Sequence, residues 1–416
     1  MSDKPDTQSI PEPAPAAAAP GPAGLRAHVM LHQVRPDPIM VRGAGSWIWD
    51  ANGRRYLDFV QGWAVNGLGH APPLVRRALQ AQARLLINSS PAFLNQPQID
   101  LCTTLAQTSG LDQVFLASTG AEANEGAVKL ARKWGRVHRQ GAHKVITTQG
   151  SFHGRTLAMM SASGKAGWDE LFPPVVPGFV KVPYGDAAAV EQAIDADTTA
   201  VMVEPIQGEG GVVVPPPGYL AQLRAIADRQ GILLILDEVQ TGIGRTGHLF
   251  ACQAEAVRPD VLTLGKGLGA GVPLAALLSS NAACCFVAGE QGSTYSGTPL
   301  MASVGLAVMR ALAEPKFLPA VVARGTQLAA GLRRLAARWD CPEVRGRGLL
   351  QALVLPEAIA EAVVKDAREN EGLLINAPRP NLLRFMPALT VRKSEIDTML
   401  AALGRSLERS FAGRGL

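Results

Sequence analysis

The sequence predicts a two-domain α/β protein: a large domain with a mostly parallel sheet covered by helices, and a smaller α/β domain. Three observations lead there. Short apolar runs recur through the middle of the chain, at Val114–Ala117, Lys144–Thr148, Ala200–Val203, Leu233–Leu236, Val261–Leu264 and Ala275–Ser279. Helical stretches separate them, and near-continuous apolar strands alternating with helices call for a sheet buried on both faces. Towards the C-terminus the pattern changes to amphipathic helices and a few short strands. With 416 residues, 47% of them hydrophobic, the chain is long enough for two cores.

Taken in order, residues 1–25 are rich in Pro and Ala (Pro11, Pro13, Pro15), which breaks helices and buries little, so a disordered tail is expected. From Val41 to Phe59, alternation and turn signals predict strands, with Asn52-Gly53 as a hairpin turn. Beyond Pro73 the alternation of helices with the six apolar runs begins. Leu328, Leu332, Leu335 and Trp339 then form one apolar helical stripe. Short strands are expected near Leu373–Ile375 and Leu382–Phe385. A last helix carries Ile396, Met399, Leu400, Leu403 and Leu407, with Ser394-x-x-Asp397 as its predicted capping box.

Bulk properties exclude several classes. The net charge of +5 is mild, and Lys and Arg are scattered, so no nucleic-acid surface is expected, while anionic small substrates are compatible. Five cysteines, odd in number and without CxxC spacing, point to reduced thiols in a cytoplasmic protein, not a disulfide framework or zinc site. No apolar run is long enough to span a bilayer, and the N-terminus has no apolar signal core. His28 and His32 have i,i+4 spacing but lack the glutamate of HExxH, so no metal is assigned.

Lys266 carries most of the chemical information. It follows the buried run Val261–Leu264, where little water surrounds an ammonium; desolvation favours the neutral, nucleophilic amine. Small neighbours on its C-terminal side leave room for a flat ring. Another apolar run ends in Asp237-Glu238. A reactive amine and a buried acid at the ends of two strands suit a Schiff-base cofactor whose ring nitrogen the acid keeps protonated, as pyridoxal phosphate is held. For Asp237 a helix cap or structural ion pair is the competing reading.

Other loops add candidates. Ser118-Thr119-Gly120-Ala121-Glu122 opens a helix, and free N–H groups there suit a phosphate, although Thr119-x-x-Glu122 also fits a capping box. Phe152-His153-Gly154-Arg155-Thr156 offers an aromatic to stack on a ring and an arginine for a carboxylate; an ordinary loop is the plain alternative. Glu204 to Gly211 places two glutamates in a Gly-rich loop, where one can neutralise an arginine or simply be a solvated turn acid. Gly242-Ile243-Gly244-Arg245-Thr246-Gly247 matches a dinucleotide fingerprint, but five residues separate it from the strand and no clear helix start follows. A nicotinamide oxidoreductase built on those glycines is the competing function. Gly265-Lys266 is no Walker A loop, because the following Ser/Thr and the upstream glycine are missing.

Together these motifs resemble the class III, fold-type I pyridoxal-phosphate aminotransferases, from about Val41 to Leu407. Within them, the stretches 56–66, 151–157 and 381–389 are most similar to the bacterial acetylornithine subgroup. The resemblance implies that Lys266 carries the cofactor and shuttles the proton, with Asp237 at the ring nitrogen, Gln240 at the ring hydroxyl and Phe152 on the ring face. It implies that Thr119, Gly120 and Ala121 cup the phosphate, and that Thr294 reaches the phosphate of a neighbouring subunit in a homodimer with shared active sites. Arg155 and Arg384 correspond to the substrate-carboxylate arginines, and Glu209 to the acid that masks Arg384 while the amino donor binds.

The implied domains are a large cofactor domain at 76–312 and a small one built from the N- and C-terminal segments, 26–75 and 313–416. The implied reaction moves the side-chain amine of N2-acetyl-L-ornithine to 2-oxoglutarate. Succinylornithine, succinyl-diaminopimelate, ornithine and 4-aminobutyrate remain open as donors. The chain departs from the pattern at Ala121, where the family often has a hydroxyl, at Thr119 in place of serine, and at Ser296-Gly297-Thr298-Pro299. Losing the hydroxyl at 121 should weaken cofactor binding by about 1 kcal/mol.

Overall fold

The computed structural model describes residues 28–30 and 35–412; the Pro/Ala-rich segment expected to be a disordered tail, and His32, lie outside the described residues. A central sheet of seven strands organises the molecule: β4 (Gln113–Ala117), β5 (Lys144–Thr148), β6 (Phe179–Val182), β7 (Thr198–Val203), β8 (Leu233–Asp237), β9 (Val261–Leu264) and β10 (Ala275–Ser279). Their spatial order is β4-β10-β9-β8-β7-β5-β6. Strand β10 runs antiparallel to both its neighbours, and the other pairings are parallel. Every residue of β7, β8, β9 and β10 is buried, which is why these strands lack polar alternation. Strand β6 was not expected: it is a half-exposed four-residue edge behind a proline-rich loop, with too short a pattern to stand out.

The pairing of β8 with β9 positions the chemistry. They run parallel with Asp237 opposite Thr263, so both C-terminal ends open on the same edge of the sheet. Asp237 closes one strand and Lys266 follows the other by two residues. Open α/β sheets bind ligands at this edge. One helix, α1 (Gly120–His138), covers β9 and β10 with Ala123, Ala127, Leu130 and Ala131, whose spacing places them on one face.

The two ends of the chain share a second core, in which Leu57 and Phe59 pack with Leu328, Leu332, Phe385, Met399 and Leu403. Strands β1 (Met40–Ala44), β2 (Trp47–Asp50) and β3 (Arg55–Asp58) form a meander, and Gly53, at φ +79°, makes the β2–β3 turn. Between β3 and the next helix, Gln61, Gly62, Trp63 and Ala64 all have positive φ, so this segment is a left-handed turn. The C-terminal sheet contains a hairpin that was not expected, β11 (Glu343–Arg347) and β12 (Leu350–Val354), because charged residues and glycines mask its first strand. The strand expected near 373–375 divides: β13 (Leu373–Leu374) joins β3 in parallel, and β14 (Asn376–Arg379) pairs with β15 (Leu382–Phe385).

The last helix, α2 (Lys393–Ala412), corrects the predicted capping box. It begins one residue before Ser394, whose carbonyl already accepts from Thr398 inside the helix. Glu395 does the capping instead: its Oε2 accepts from the Arg392 N–H at 2.8 Å and from the Ser46 hydroxyl at 2.9 Å. Asp397 turns to Gln327.

The glycines at 242–247 form a run of turns with no α-helix opening from them, only a short 3-10 helix at Ala251–Glu255, so the dinucleotide reading fails for want of a helix N-terminus at the glycines. Arg245 within them ties the two cores together. It is buried and donates from Nη1 to the carbonyls of Leu349 at 3.0 Å and Pro387 at 2.5 Å. Burial pulls its pKa down to about 9. Arg245→Met strands both carbonyls, and we expect a loss of about 2–4 kcal/mol, read as a lower urea midpoint at unchanged slope. Among the described residues no helix is long and apolar enough to cross a membrane, and no cluster of side chains is arranged to hold a metal ion.

Candidate active site

Lys266 stands in a short turn with φ +42°, a backbone region that long side chains rarely adopt without a reason in their surroundings. Burial pulls its ammonium pKa below the usual lysine value; Glu209 and Asp237 oppose that shift, and Arg384 reinforces it. The amine therefore lies within electrostatic reach of the 204–211 loop, the end of β8 and the later strand that carries Arg384. Desolvation favours its neutral form, and the two acids favour the charged one.

Asp237 is 3% exposed, and both of its oxygens accept hydrogen bonds. Its Oδ2 accepts from His153 Nδ1 and from Asn124 Nδ2, each at 2.8 Å, and its Oδ1 accepts from the Val239 N–H at 3.0 Å. His153 donates to the carboxylate in the tautomer that carries its proton on Nδ1. Asn124 is itself fixed, donating to the His153 carbonyl at 2.7 Å and accepting from Thr263 Oγ1 at 2.6 Å. Three donors on one carboxylate hold it ionised and immobile. Asn124 and Thr263 were missed in the sequence; a polar residue on the apolar face of α1 was the available signal.

Arg384 on β15 is fully buried. Its Nε donates to Asn376 Oδ1 at 3.0 Å across the β14–β15 pair. Its Nη1 donates to the Gly208 carbonyl at 3.0 Å, to Glu209 Oε1 at 2.7 Å and to Gln240 Oε1 at 3.4 Å. Its Nη2 is buried with no partner. A buried guanidinium with an idle nitrogen is ready for a second carboxylate. Its present partner, Glu209, is 31% exposed and stands among Gly208, Gly210 and Gly211. Burial alone would raise the pKa of Glu209, but Arg384 and Lys266 outweigh it and hold the acid ionised. Gln240 thus lies beside Arg384.

At the head of α1 the plain reading is correct as far as it goes: Thr119 Oγ1 accepts from the Glu122 N–H at 3.2 Å, and Glu122 Oε2 accepts from the Thr119 N–H at 3.0 Å. That leaves the first-turn N–H groups of Gly120 and Ala121 without intrahelical acceptors. Gly120 has to be glycine, since a Cβ would lie 2.6 Å from Val239 Cγ1. Ala121 faces Gly154, whose added Cβ would come within 2.8 Å of the alanine methyl.

Phe152 is half-buried, with its ring edge-on to Trp168 at 5.6 Å. Arg155 is exposed, its guanidinium 5.4 Å over the Trp168 ring, and it is not brought against Arg384. Thr294 is exposed beside Ser293, which reaches Glu122 Oε1 at 3.4 Å. The structure therefore gathers Lys266, Asp237, Gln240, Glu209 and Arg384 and places Arg155 and Thr294 at the surface. Trp168 is a site neighbour that the sequence did not single out.

Comparison with known proteins is consistent across the chain. A family model described as aminotransferase class-III matches residues 31–407. Acetylornithine aminotransferase 2 of Bordetella pertussis is 56% identical over 371 residues, covering 89% of this chain and 94% of the relative. Acetylornithine aminotransferase of Ralstonia nicotianae is 54% identical over 375 residues, covering 89% and 94%. Among solved structures, the ornithine aminotransferase of Toxoplasma gondii ME49 aligns with a TM-score of 0.89 at 35% identity, covering 94% of this chain and 95% of that one. N-acetylornithine aminotransferase of Stenotrophomonas maltophilia K279a aligns with a TM-score of 0.81 at 35% identity, covering 94% and 100%.

Proposed function

The chain belongs to the class III aminotransferases, pyridoxal-phosphate-dependent transaminases, and we propose that it moves the side-chain amine of N2-acetyl-L-ornithine to 2-oxoglutarate, giving N-acetyl-L-glutamate 5-semialdehyde and L-glutamate. The donor is the one for which the bacterial relatives are named. The observation that carries the two-substrate reading is the fully buried Arg384, held by a part-exposed Glu209 beside Lys266.

The residues present fit the cofactor. Asp237 is a carboxylate fixed by three donors, Lys266 is a buried amine whose pKa burial pulls down, and Gly120 is a position where a Cβ would meet Val239. Lys266 would hold the cofactor, Asp237 would face its ring nitrogen, Gln240 its ring hydroxyl and Phe152 its ring face. Thr119 and the N–H groups of Gly120 and Ala121 would take its phosphate, together with Thr294 of a second copy in a homodimer. Bound there, pyridoxal phosphate supplies an electron-withdrawing ring that stabilises negative charge on the amine-bearing carbon.

The protein's own groups do the rest. Lys266 Nζ would take the proton from the amine-bearing carbon of the donor and pass it to the cofactor's former aldehyde carbon; in the second half-reaction it would take that proton back and deliver it to the former carbonyl carbon of the acceptor. Asp237 keeps a negative charge in a dry place, and His153 and Asn124 keep it from turning away. During the donor half-reaction Glu209 neutralises Arg384, and Arg155 leaves the Trp168 face to hold the donor carboxylate. When 2-oxoglutarate enters, Glu209 withdraws and Arg384 takes a carboxylate in its place. Alternation of the two substrates through one site gives ping-pong kinetics. Five free cysteines suit a reducing compartment, so we assign the enzyme to the cytoplasm; the acetylornithine donor suits a role in arginine biosynthesis.

The test is the visible absorbance of the holoenzyme. N2-acetylornithine alone should bleach the band, and 2-oxoglutarate should restore it. An unchanged band rejects this donor. Competing-substrate kcat/KM should then rank acetylornithine above ornithine, the donor of several structural neighbours, and above succinylornithine, succinyl-diaminopimelate and 4-aminobutyrate. Glu209→Gln leaves Arg384 charged and unmasked. We expect the acetylornithine half-reaction to slow about tenfold or more, since a stranded buried charge captures the donor carboxylate, while the KM for 2-oxoglutarate falls. Single-turnover absorbance for each half-reaction reads both effects.

A further inference from the structure

Glu204 is a buried acid to which the mechanism above gives no work. It is 5% exposed, and among the described residues no lysine or arginine forms an ion pair with it. A lone buried carboxylate is costly unless hydrogen bonds replace its water. Its Oε1 accepts from the Phe152 N–H at 3.0 Å, and its Oε2 accepts from the Gly208 N–H at 3.1 Å. The residue itself is anchored from behind, because Tyr184 donates its hydroxyl to the carbonyls of Glu204 at 2.9 Å and Pro205 at 3.1 Å. One side chain therefore grips two loops. The first presents Phe152. The second begins the Gly208-Glu209-Gly210-Gly211 turn, in which Glu209 is the sole residue with a side chain.

Gly208 is held at both of its polar atoms: its N–H by Glu204 and its carbonyl by Arg384 at 3.0 Å. It also has no room for a side chain, since a Cβ would lie 1.8 Å from Gln240 Oε1. The far side of the turn is tied to the other core, where Arg345 donates to the Gly211 carbonyl at 2.9 Å. Between these fixed points stands Glu209, its side chain 31% exposed and its carboxylate on Arg384. A carboxylate suits the near anchor because it offers two acceptor oxygens to two N–H donors; a glutamine would oppose one donor with another.

We propose that Glu204 is a positioning residue for transamination: its carboxylate is the pivot on which Glu209 leaves Arg384, and it ties that movement to the loop bearing Phe152. The inference rests on the reading of Glu209 as the acid that masks Arg384. It extends to pH dependence. Burial pushes the Glu204 carboxyl up to about 7; Asp237 adds to the rise, while His153 and the two N–H bonds oppose it. Tyr184 and Lys266 are the other titratable groups within electrostatic reach. Above about pH 7 both arms are gripped by an anion. Below it the protonated oxygen becomes a donor, and one arm is released.

The experiment compares wild-type holoenzyme with Glu204→Gln and Glu209→Gln, each half-reaction measured separately between pH 5.5 and 9. In the wild type, kcat/KM for 2-oxoglutarate should rise through about pH 7. In Glu204→Gln that limb should vanish and the value should lie about tenfold below the wild-type upper plateau, through KM more than kcat, with the amine half-reaction slowed less. A second readout is melting temperature. The folded protein binds the Glu204 proton more tightly than the unfolded chain, from the ordinary 4.5 up to about 7, so the stability it lends at acid pH is lost as pH rises through that window. Wild type should therefore lose melting temperature relative to Glu204→Gln between pH 5 and 8. A limb that persists in Glu204→Gln, or a melting difference independent of pH, overturns the proposal. Should Glu204→Gln fail to fold, Glu204→Asp keeps the charge but spans only one arm; equal slowing of both half-reactions in that variant also overturns it. If Glu209→Gln leaves the balance of half-reactions intact, the masking reading fails. If Glu209→Gln shifts the balance and Glu204→Gln does not, the pivot alone fails.

Discussion

Lys266→Ala is expected to abolish turnover, with a loss on the order of 10⁴-fold or more, because one residue supplies both the covalent hold and the proton-transferring amine. Arginine at the same position should do no better. Burial favours a neutral base here, and a guanidinium cannot shed its proton. The structure also explains why no neighbour can substitute. Lys266 follows the end of β9 within electrostatic reach of Asp237 and Glu209, and among the described residues no other lysine's shift is attributed to those acids. The measurement is steady-state turnover with added pyridoxal phosphate, alongside absorbance to show that the cofactor is still bound. Small exogenous amines should restore part of the rate if the missing function is proton transfer. Normal turnover in Lys266→Ala would refute the assignment of the base.

Which of these features were legible in the sequence follows from how local their signals are. Strands β7 to β10 are buried along their whole length, so each leaves an uninterrupted apolar run, and all were predictable. The ends of β8 and β9 bracket Asp237 and Lys266 for the same reason. Strand β11 is half-exposed and alternates charges with glycine, so nothing in its own residues separates it from a loop; its pairing with β12 creates it. The cap of α2 was misplaced because Ser394 matches a motif, whereas the actual acceptor, Glu395, is selected by Ser46 from the other end of the chain. The site shows the same division. Arg384, Glu209 and Gln240 come from well-separated stretches of the chain and meet only in the fold, and the resemblance to a family supplied what spacing cannot. The grip of Glu204 on Phe152 and Gly208 had no local signature, because its partners are backbone N–H groups, which every residue but proline possesses.

Asp237 carries the second large expectation. Asp237→Ala should lower kcat about 10³-fold, the scale for removing a preorganised charge from a dry site. Asp237→Asn is the harsher structural test despite its matching shape. His153, Asn124 and the Val239 N–H all donate to the carboxylate, and an amide offers one acceptor oxygen while turning an NH₂ towards the others. The alanine variant removes the charge with less conflict and leaves His153 and Asn124 facing a small gap. A pyridoxal phosphate analogue methylated at the ring nitrogen separates the two roles, since it carries its positive charge without help. If Asp237 acts by keeping that nitrogen charged, the analogue should recover much of the rate in Asp237→Ala and change little in wild type. If Asp237 only braces His153 and Asn124, the analogue should recover nothing, while melting temperature falls with activity. The bracing network serves the charge on this reading: three donors converge on a carboxylate that is 3% exposed. Removing Asn124 by Asn124→Ala should therefore reproduce part of the kcat loss, through Asp237, without touching substrate.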